Sequence, residues 1–139
     1  MEERLEEFLN TFYEAMSFSS AEKFDVERFV SLFTRNATLA ERAGETLCYE
    51  TVEDYVKVFE DEAKRFPEHY NYGIHEMQTA YAWLDGEDFV LVKSEYEKRV
   101  RKSAGDGMQE QLTRGCNYMT LCRDGDWFRI MSLAWTAQM

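Results

Sequence analysis

The sequence predicts an α+β fold in which helices cover one face of a curved, mainly antiparallel sheet. Apolar residues recur at helical spacing in the first half of the chain and at a spacing of two from Tyr70 onward. Asp-Gly pairs at Asp85-Gly86 and Asp124-Gly125 separate alternating segments, which is typical of β-hairpins. Helices followed by an antiparallel meander form the pattern of an α+β fold.

Three helices are predicted in the N-terminal half. The first covers residues 3–17, where apolar side chains form a stripe at helical spacing. The second begins after Asp25, because an aspartate side chain can accept a hydrogen bond from the free N–H groups of a first helical turn. The third begins at Thr51, with Asp54 three positions later as a weaker form of the capping box, and ends at Pro67.

The remaining segments favour strands. Residues 37–42 predict a short strand that is followed by a turn at Ala43-Gly44. From Tyr70 onward, four strands are separated by Asp85-Gly86, by residues 103–107 and by Asp124-Gly125. Both faces of the last hairpin are apolar near its turn, so the sequence leaves open which face looks inward.

A two-residue turn at Asp85-Gly86 would fix the register of the first long hairpin. It would place His75 opposite Tyr96 on the inner, helix-covered face. Two interpretations of this pair are open: a core histidine hydrogen-bonded to a tyrosine, or a pocket pair that orients or protonates a ligand. A three-residue turn would instead exchange the two faces of the second strand.

The same register leaves an apolar patch on the outward face of this hairpin. Its members are Ala80, Ala82, Phe89 and Leu91. A contiguous apolar patch needs cover, so the sequence predicts a homodimer.

Composition and charge restrict the class of protein. The 139 residues, 45% of them hydrophobic, predict a single domain over residues 1–139. The net charge is −11 and the 16 basic residues are scattered, which argues against a nucleic-acid partner and against an anionic membrane surface. No apolar run approaches the roughly 18–20 residues that a membrane span needs.

Metal-binding and cofactor-binding patterns are not found in the sequence. The three cysteines, an odd number without CxxC spacing, predict reduced thiols and a cytoplasmic location. His69 and His75 lie outside any HExxH pattern, so no metal site is predicted. The chain has no glycine-rich phosphate loop, and no cofactor is predicted.

Two segments and one histidine carry a family resemblance. Residues 25–39 read DVERFVSLFTRNATL, residues 123–130 read RDGDWFRI, and His75 precedes Gly86 by eleven residues. The first segment is similar to the second helix, and its exit into the first strand, of the nuclear transport factor 2-like superfamily, the SnoaL-like α+β cone. The second segment looks like that family's DG-x-W-x-I hairpin, and SnoaL-like sequences often have a histidine at this point. The resemblance covers nearly the whole chain.

This resemblance implies a cone with an internal cavity, often in a homodimer that packs through sheet faces. The superfamily includes ketosteroid isomerase, scytalone dehydratase and many non-catalytic modules, so the fold alone does not select a chemistry. Compared with ketosteroid isomerase, Glu41 stands at the position of the general-base aspartate, and Tyr13 near that of the oxyanion tyrosine. Thr120 stands near the position of the protonated aspartate and cannot play that role. A ketosteroid isomerase proper is therefore not predicted.

Three functional hypotheses follow. The first is a protein that binds a small apolar or amphipathic molecule in a cavity lined by Tyr13, Tyr81, Trp83, Tyr96 and Trp135. The second is a lyase or isomerase that acts on a small apolar carbonyl compound, with Glu41 as the base and with donors drawn from His75, Tyr96 and Tyr13. The third is a non-enzymatic dimerisation or protein-interaction module, in which the aromatic side chains only fill the core.

Overall fold

The computed structural model describes residues 1–19, 24–65, 71–104 and 107–136. The elements in chain order are α1 Glu2–Met16, β1 Phe18–Ser19, α2 Val26–Val30, β2 Phe33–Ala43, β3 Thr46–Glu50, α3 Val52–Arg65, β4 Asn71–Leu84, β5 Phe89–Ala104, β6 Gly107–Asp124 and β7 Trp127–Thr136. The predicted helix end at Pro67 and the predicted strand start at Tyr70 lie outside the described residues, as do residues 105 and 106 of one predicted loop. No described helix is long and apolar enough to cross a lipid bilayer.

Each helix forms where the sequence predicts one. The apolar stripe of α1 is buried against the sheet. The Asp25 side chain caps α2 by accepting a 3.1 Å hydrogen bond from the backbone N–H of Arg28. At the start of α3, the Thr51 hydroxyl accepts a 3.1 Å hydrogen bond from the backbone N–H of Asp54. Both predicted caps are therefore present.

The described strands form one curved sheet in the order β1-β4-β5-β6-β7-β2-β3. Neighbouring strands are antiparallel, apart from β2 and β7, which run parallel. The helix α1 packs against β4 and β7 and covers one face, which is called the inner face below. This arrangement of three helices on a mainly antiparallel sheet confirms the predicted fold class. The sequence does not predict β1, because two residues are too few to show an alternating pattern, or β3, whose residues are exposed apart from the half-buried Glu50.

The turn of the β4–β5 hairpin is longer than the sequence predicts. Leu84 pairs with Phe89, so the loop has four residues and the predicted two-residue turn is wrong. The neighbouring strand accounts for the extra length: the backbone N–H of Arg123 in β6 donates a 2.8 Å hydrogen bond to the carbonyl oxygen of Asp88 and holds the end of the loop. Because the loop is longer by an even number of residues, the strand positions nearest to it keep their predicted faces.

A β-bulge in β4 changes which side chains face inward. Met77 is the extra residue, because the residues on either side of it pair with consecutive residues of β5. Glu76 therefore pairs with Tyr96 on the inner face, and His75 pairs with Glu97 on the outer face. The prediction that His75 and Tyr96 are cross-strand neighbours is wrong for two reasons. The longer loop moves each pair by two residues, and the bulge then turns His75 to the outer face.

A second bulge, in β7, settles the orientation of the last hairpin. Met131 is the extra residue, and it separates two stretches that are each in regular register with β6. Beyond it, Leu133 pairs with Met119 and Trp135 pairs with Asn117. These four side chains lie on the inner face, and the face that the sequence leaves open is thereby assigned.

The predicted apolar patch lies on the outer face of the β4–β5 hairpin. Its members Ala80, Ala82, Phe89 and Leu91 are all exposed. Within it, Ala82 pairs directly with Leu91. A shallow groove of about 540 Å³ begins at this patch and continues across the outer face to β6 and β7.

Candidate ligand-binding site on the inner face of the sheet

One row of the inner face crosses five strands and carries polar side chains. The register aligns the members of this row in β4, β5, β6, β7 and β2; they are Thr79, Ser94, Asn117, Trp135 and Glu41. Ser94 is 0% exposed and Asn117 is 5% exposed. Because buried polar groups need hydrogen-bond partners, the contacts of this row decide what it can do.

Tyr13 of α1 reaches the middle of this row. Its hydroxyl lies 2.6 Å from the hydroxyl of Ser94 and accepts a 3.3 Å hydrogen bond from the side-chain amide of Asn117. The hydroxyl of Thr79 donates a 3.3 Å hydrogen bond to the Ser94 hydroxyl. Burial raises the pKa of Tyr13 to about 12, although its two hydrogen bonds act in the opposite direction. Tyr13 is therefore a neutral phenol whose hydrogen bonds are made inside the protein.

Glu41 lies at the end of the same row and is half-buried. The indole N–H of Trp135 donates a 2.7 Å hydrogen bond to its Oε2 atom. The ring of Trp135 packs in turn against Tyr55, with 5.2 Å between the ring centres. One oxygen of the Glu41 carboxylate is thus held in place, and no other described side chain donates a hydrogen bond to it.

The negative charge of Glu41 acts on several neighbours. Burial raises the pKa of Tyr96, and the charges of Cys116 and Glu41 add to this effect. Burial and the carboxylates of Glu41 and Asp54 likewise raise the pKa of Glu50. The region around Glu41 therefore combines aromatic surface with an excess of negative charge.

The next two rows of the inner face contain polar atoms that lack partners. Glu76 lies opposite Tyr96, and Thr113 lies opposite Lys98. The Oε2 atom of Glu76 and the Oγ1 atom of Thr113 are buried, and neither has a hydrogen-bond partner within the described part of the chain. A buried polar atom of this kind costs about 1–3 kcal/mol unless something else satisfies it.

Lys98 brings a cationic group to the same face. Its Nζ atom lies 5.7 Å from the centre of the Tyr72 ring, within the range of a cation–π contact. Burial lowers the pKa of Lys98, and the charge of Glu41 partly opposes that shift. No carboxylate in the described ranges lies within ion-pairing distance of its amino group.

A cleft of about 660 Å³ opens at the edge of β4, between this strand, α1 and the start of α2. Tyr13 and Glu76 both line it. His75 lines it as well, so the cleft lies at the part of β4 where the bulge changes the facing of the side chains.

The structure brings six of the seven predicted site residues to the inner face. Four of the six, Tyr13, Glu41, Tyr96 and Trp135, lie on or beside the polar row. His75 is not among the six. Its side chain is 63% exposed, and its Nε2 atom lies 3.8 Å from Oε1 of Glu97.

Tyr81 and Trp83, the other two predicted pocket residues, lie toward the hairpin end of the sheet. The hydroxyl of Tyr81 donates a hydrogen bond to the carboxylate of Glu2, at the start of α1. The ring of Trp83 packs against Phe128, with 6.0 Å between the ring centres. Tyr81 therefore helps to anchor the first helical turn to the sheet, whereas Trp83 packs against another strand of the sheet.

Three residues of the site do not follow from the sequence analysis: Glu76, Lys98 and Thr113. Lys98 stands in a basic run that is typical of a solvated strand end, yet it shares the inward alternation of Ser94 and Tyr96. That alternation is the signal that identifies it. Glu76 has no such signal, because only the bulge turns it inward.

Within the described segments, no group of three or more His, Cys, Asp or Glu side chains could hold a metal ion.

In sequence, no protein-family model and no curated protein matches the chain. Solved structures do match it. A protein of unknown function with a cystatin-like fold, from Nostoc punctiforme, is 10% identical, and the match covers 99% of this chain and 90% of that one at a TM-score of 0.61.

Two further structures are similar to the chain over most of its length. A protein from Kribbella flavida is 15% identical, with 99% of this chain and 90% of that one covered at a TM-score of 0.71. A type 2 hexachlorocyclohexane dehydrochlorinase, LinA, is 10% identical, with 96% and 82% covered at a TM-score of 0.70. Identities this low show the fold alone. The chain thus has a cystatin-like α+β fold, which is the kind of fold that the resemblance implies.

Proposed function

We propose that the protein binds a small, partly apolar molecule on the inner face of its sheet. The observation that carries this proposal is the pair of buried, unpartnered atoms, Oε2 of Glu76 and Oγ1 of Thr113, in the two rows next to Glu41 and Trp135. A ligand with polar groups at these positions would supply the missing hydrogen bonds. The rings of Tyr96 and Trp135 would cover its apolar part.

The charges of the site favour a ligand that donates hydrogen bonds and is not an anion. Glu41 and Glu50 both present carboxylates to this region. Burial raises the pKa of the neighbouring Tyr55, and the charges of both carboxylates add to this effect. A hydroxyl or enol group can donate to Glu41, whereas a ligand carboxylate would be repelled.

Acid–base catalysis is the second candidate function, and the held carboxylate of Glu41 favours it. Because Trp135 fixes one carboxylate oxygen at 2.7 Å, the other can take a proton from a carbon next to a carbonyl group. Tyr96 and Lys98 are the donors on the same face that can stabilise the developing oxyanion. The hydroxyl of Tyr13 already forms hydrogen bonds with Ser94 and Asn117. In this mechanism Tyr13 therefore holds these two side chains in place and does not donate to the oxyanion.

Replacing Glu41 with glutamine is expected to weaken the binding of 2-naphthol, a rigid apolar donor, by about tenfold to a hundredfold, because a hydrogen bond to a charged group contributes about 1.5–3 kcal/mol. Isothermal titration calorimetry would measure the dissociation constant of 2-naphthol for each variant. The wild type should bind 2-naphthol more tightly than 2-naphthoate.

Glu95→Gln is the matched control, because Glu95 lies on the same sheet but is exposed on the outer face. It should bind 2-naphthol as the wild type does. Equal affinities for Glu41→Gln and Glu95→Gln would contradict the proposed site, as would tighter binding of 2-naphthoate.

We also propose that the outer apolar patch of Ala80, Ala82, Phe89 and Leu91 is the contact surface of a homodimer. Leu91→Glu should convert the dimer to a monomer, because two buried carboxylates would face each other across the contact. Sedimentation equilibrium at micromolar concentrations would measure the mass. Val58→Glu is the control, since Val58 is also an exposed apolar residue, at 56%, but lies on α3. A wild-type mass of 16.5 kDa would refute the dimer.

A further inference from the structure

We propose that Lys98 is a nucleophile that captures aldehydes or ketones as an imine in the inner-face site. This proposal rests on the proposed function, since it names carbonyl compounds as the class of molecule that the site takes. It concerns a residue outside the Glu41–Trp135 pair.

The position of Lys98 on β5 is the first observation behind this proposal. Its side chain is half-buried on the inner face, one row from Tyr96 and opposite Thr113. By contrast, Lys57, Lys64 and Lys93 are exposed. Among the lysines whose side chains are described, Lys98 is therefore the one that a ligand on the inner face would contact.

The surroundings of the Lys98 amino group are the second observation. The ring of Tyr72 lies 5.7 Å from Nζ, and no described carboxylate forms an ion pair with it. The ring favours the ammonium form, but a half-buried amine that lacks a paired carboxylate still loses its proton more readily than an exposed one. The lowered pKa of Lys98, caused by burial, agrees with this geometry.

The reaction needs no further reagent. The neutral amine of Lys98 attacks the carbonyl carbon, a C–N bond forms, and the carbonyl oxygen takes up a proton to give a carbinolamine. Loss of the hydroxyl group as water, together with the remaining N–H proton, then leaves a C=N bond. The proton that the oxygen takes up is the one that the nitrogen loses, so the step balances without a further acid or base.

The experiment treats the full-length protein with 2-naphthaldehyde and sodium cyanoborohydride, which reduces an imine to a stable secondary amine. Peptide mass spectrometry then locates the naphthylmethyl group. Lys98 should be labelled several-fold faster than Lys57 or Lys93, and the difference should shrink when the protein is unfolded in urea. In Lys98→Arg this fast labelling should be lost, whereas Lys93→Arg should retain it.

Binding of 2-naphthalenemethanol, measured by calorimetry, separates this proposal from the proposed function, because the alcohol cannot form an imine. If the alcohol binds but Lys98 reacts no faster than Lys57 or Lys93, the imine proposal is wrong and the ligand site stands. If the alcohol fails to bind and Lys98 is not labelled preferentially, both proposals fail. Fast labelling of folded Lys98→Arg at another lysine would also overturn the assignment. Thermal unfolding of each variant confirms that it is folded.

Discussion

Replacing Phe12 with alanine is expected to lower the free energy of unfolding by about 3–5 kcal/mol, the range observed when a fully enclosed phenylalanine is truncated. Phe12 is 0% exposed. Its ring makes an edge-on contact with Tyr13 at 5.1 Å between centres and packs against Phe29 of α2 at 6.3 Å. The truncation therefore leaves a cavity where α1, α2 and the sheet meet. Urea denaturation followed by circular dichroism would measure the loss.

Asn10→Ala is the matched control for this variant, because Asn10 is an exposed residue of the same helix. Its free energy of unfolding should stay within about 0.5 kcal/mol of the wild type. A loss below about 1 kcal/mol for Phe12→Ala would mean that the neighbouring rings collapse into the space, and would contradict a fixed packing of Phe12 against Tyr13 and Phe29.

The stability of the protein is expected to fall between pH 10 and pH 12 because of Tyr13. The phenol has a pKa of 10.0 when it is unperturbed and about 12 in the fold. Over this interval the unfolded chain loses the proton while the folded protein keeps it, so a rising pH favours unfolding. The contribution of Tyr13 is fully present below pH 10 and is lost above pH 12. The shift corresponds to about 2–3 kcal/mol.

Tyr13→Phe should reduce this alkaline loss by about 2–3 kcal/mol, because phenylalanine has no proton to lose. At neutral pH the same variant should be less stable than the wild type by about 1–3 kcal/mol, since Ser94 and Asn117 lose a buried partner. Tyr49→Phe, at a tyrosine that is 68% exposed, is the control. Identical alkaline curves for Tyr13→Phe and the wild type would contradict the assignment. Urea titrations at a series of pH values would provide these curves.

The helices and their caps could be predicted because their signals are local. Asp25 and Thr51 each cap a helix through residues three positions away, so a short stretch of sequence contains both partners. The same holds for the inward alternation of β5, which places Ser94, Tyr96 and Lys98 on one face. Short-range patterns of this kind do not depend on what the rest of the chain does.

The pairing of strands could not be predicted to the same degree, because it depends on contacts between distant segments. The length of the β4–β5 loop is set partly by Arg123, which lies far along the chain from that loop. The bulge at Met131 turns Trp135 toward Glu41 and makes their hydrogen bond possible. The local alternation of apolar residues predicts neither the length of this loop nor the bulge.

The bulge at Met77 also has a consequence for evolutionary comparison of this chain with other proteins. A bulge absorbs an inserted residue, so that both flanks of the strand keep their faces. The position that corresponds to Met77 is therefore where a gap belongs when β4 is aligned with a continuous strand. An alignment without the gap places His75 at an inward position of the strand. An alignment with the gap places the buried Ile74 at that position instead. Insertions and deletions at this one position can thus change the length of β4 while the residues that line the interior stay in place.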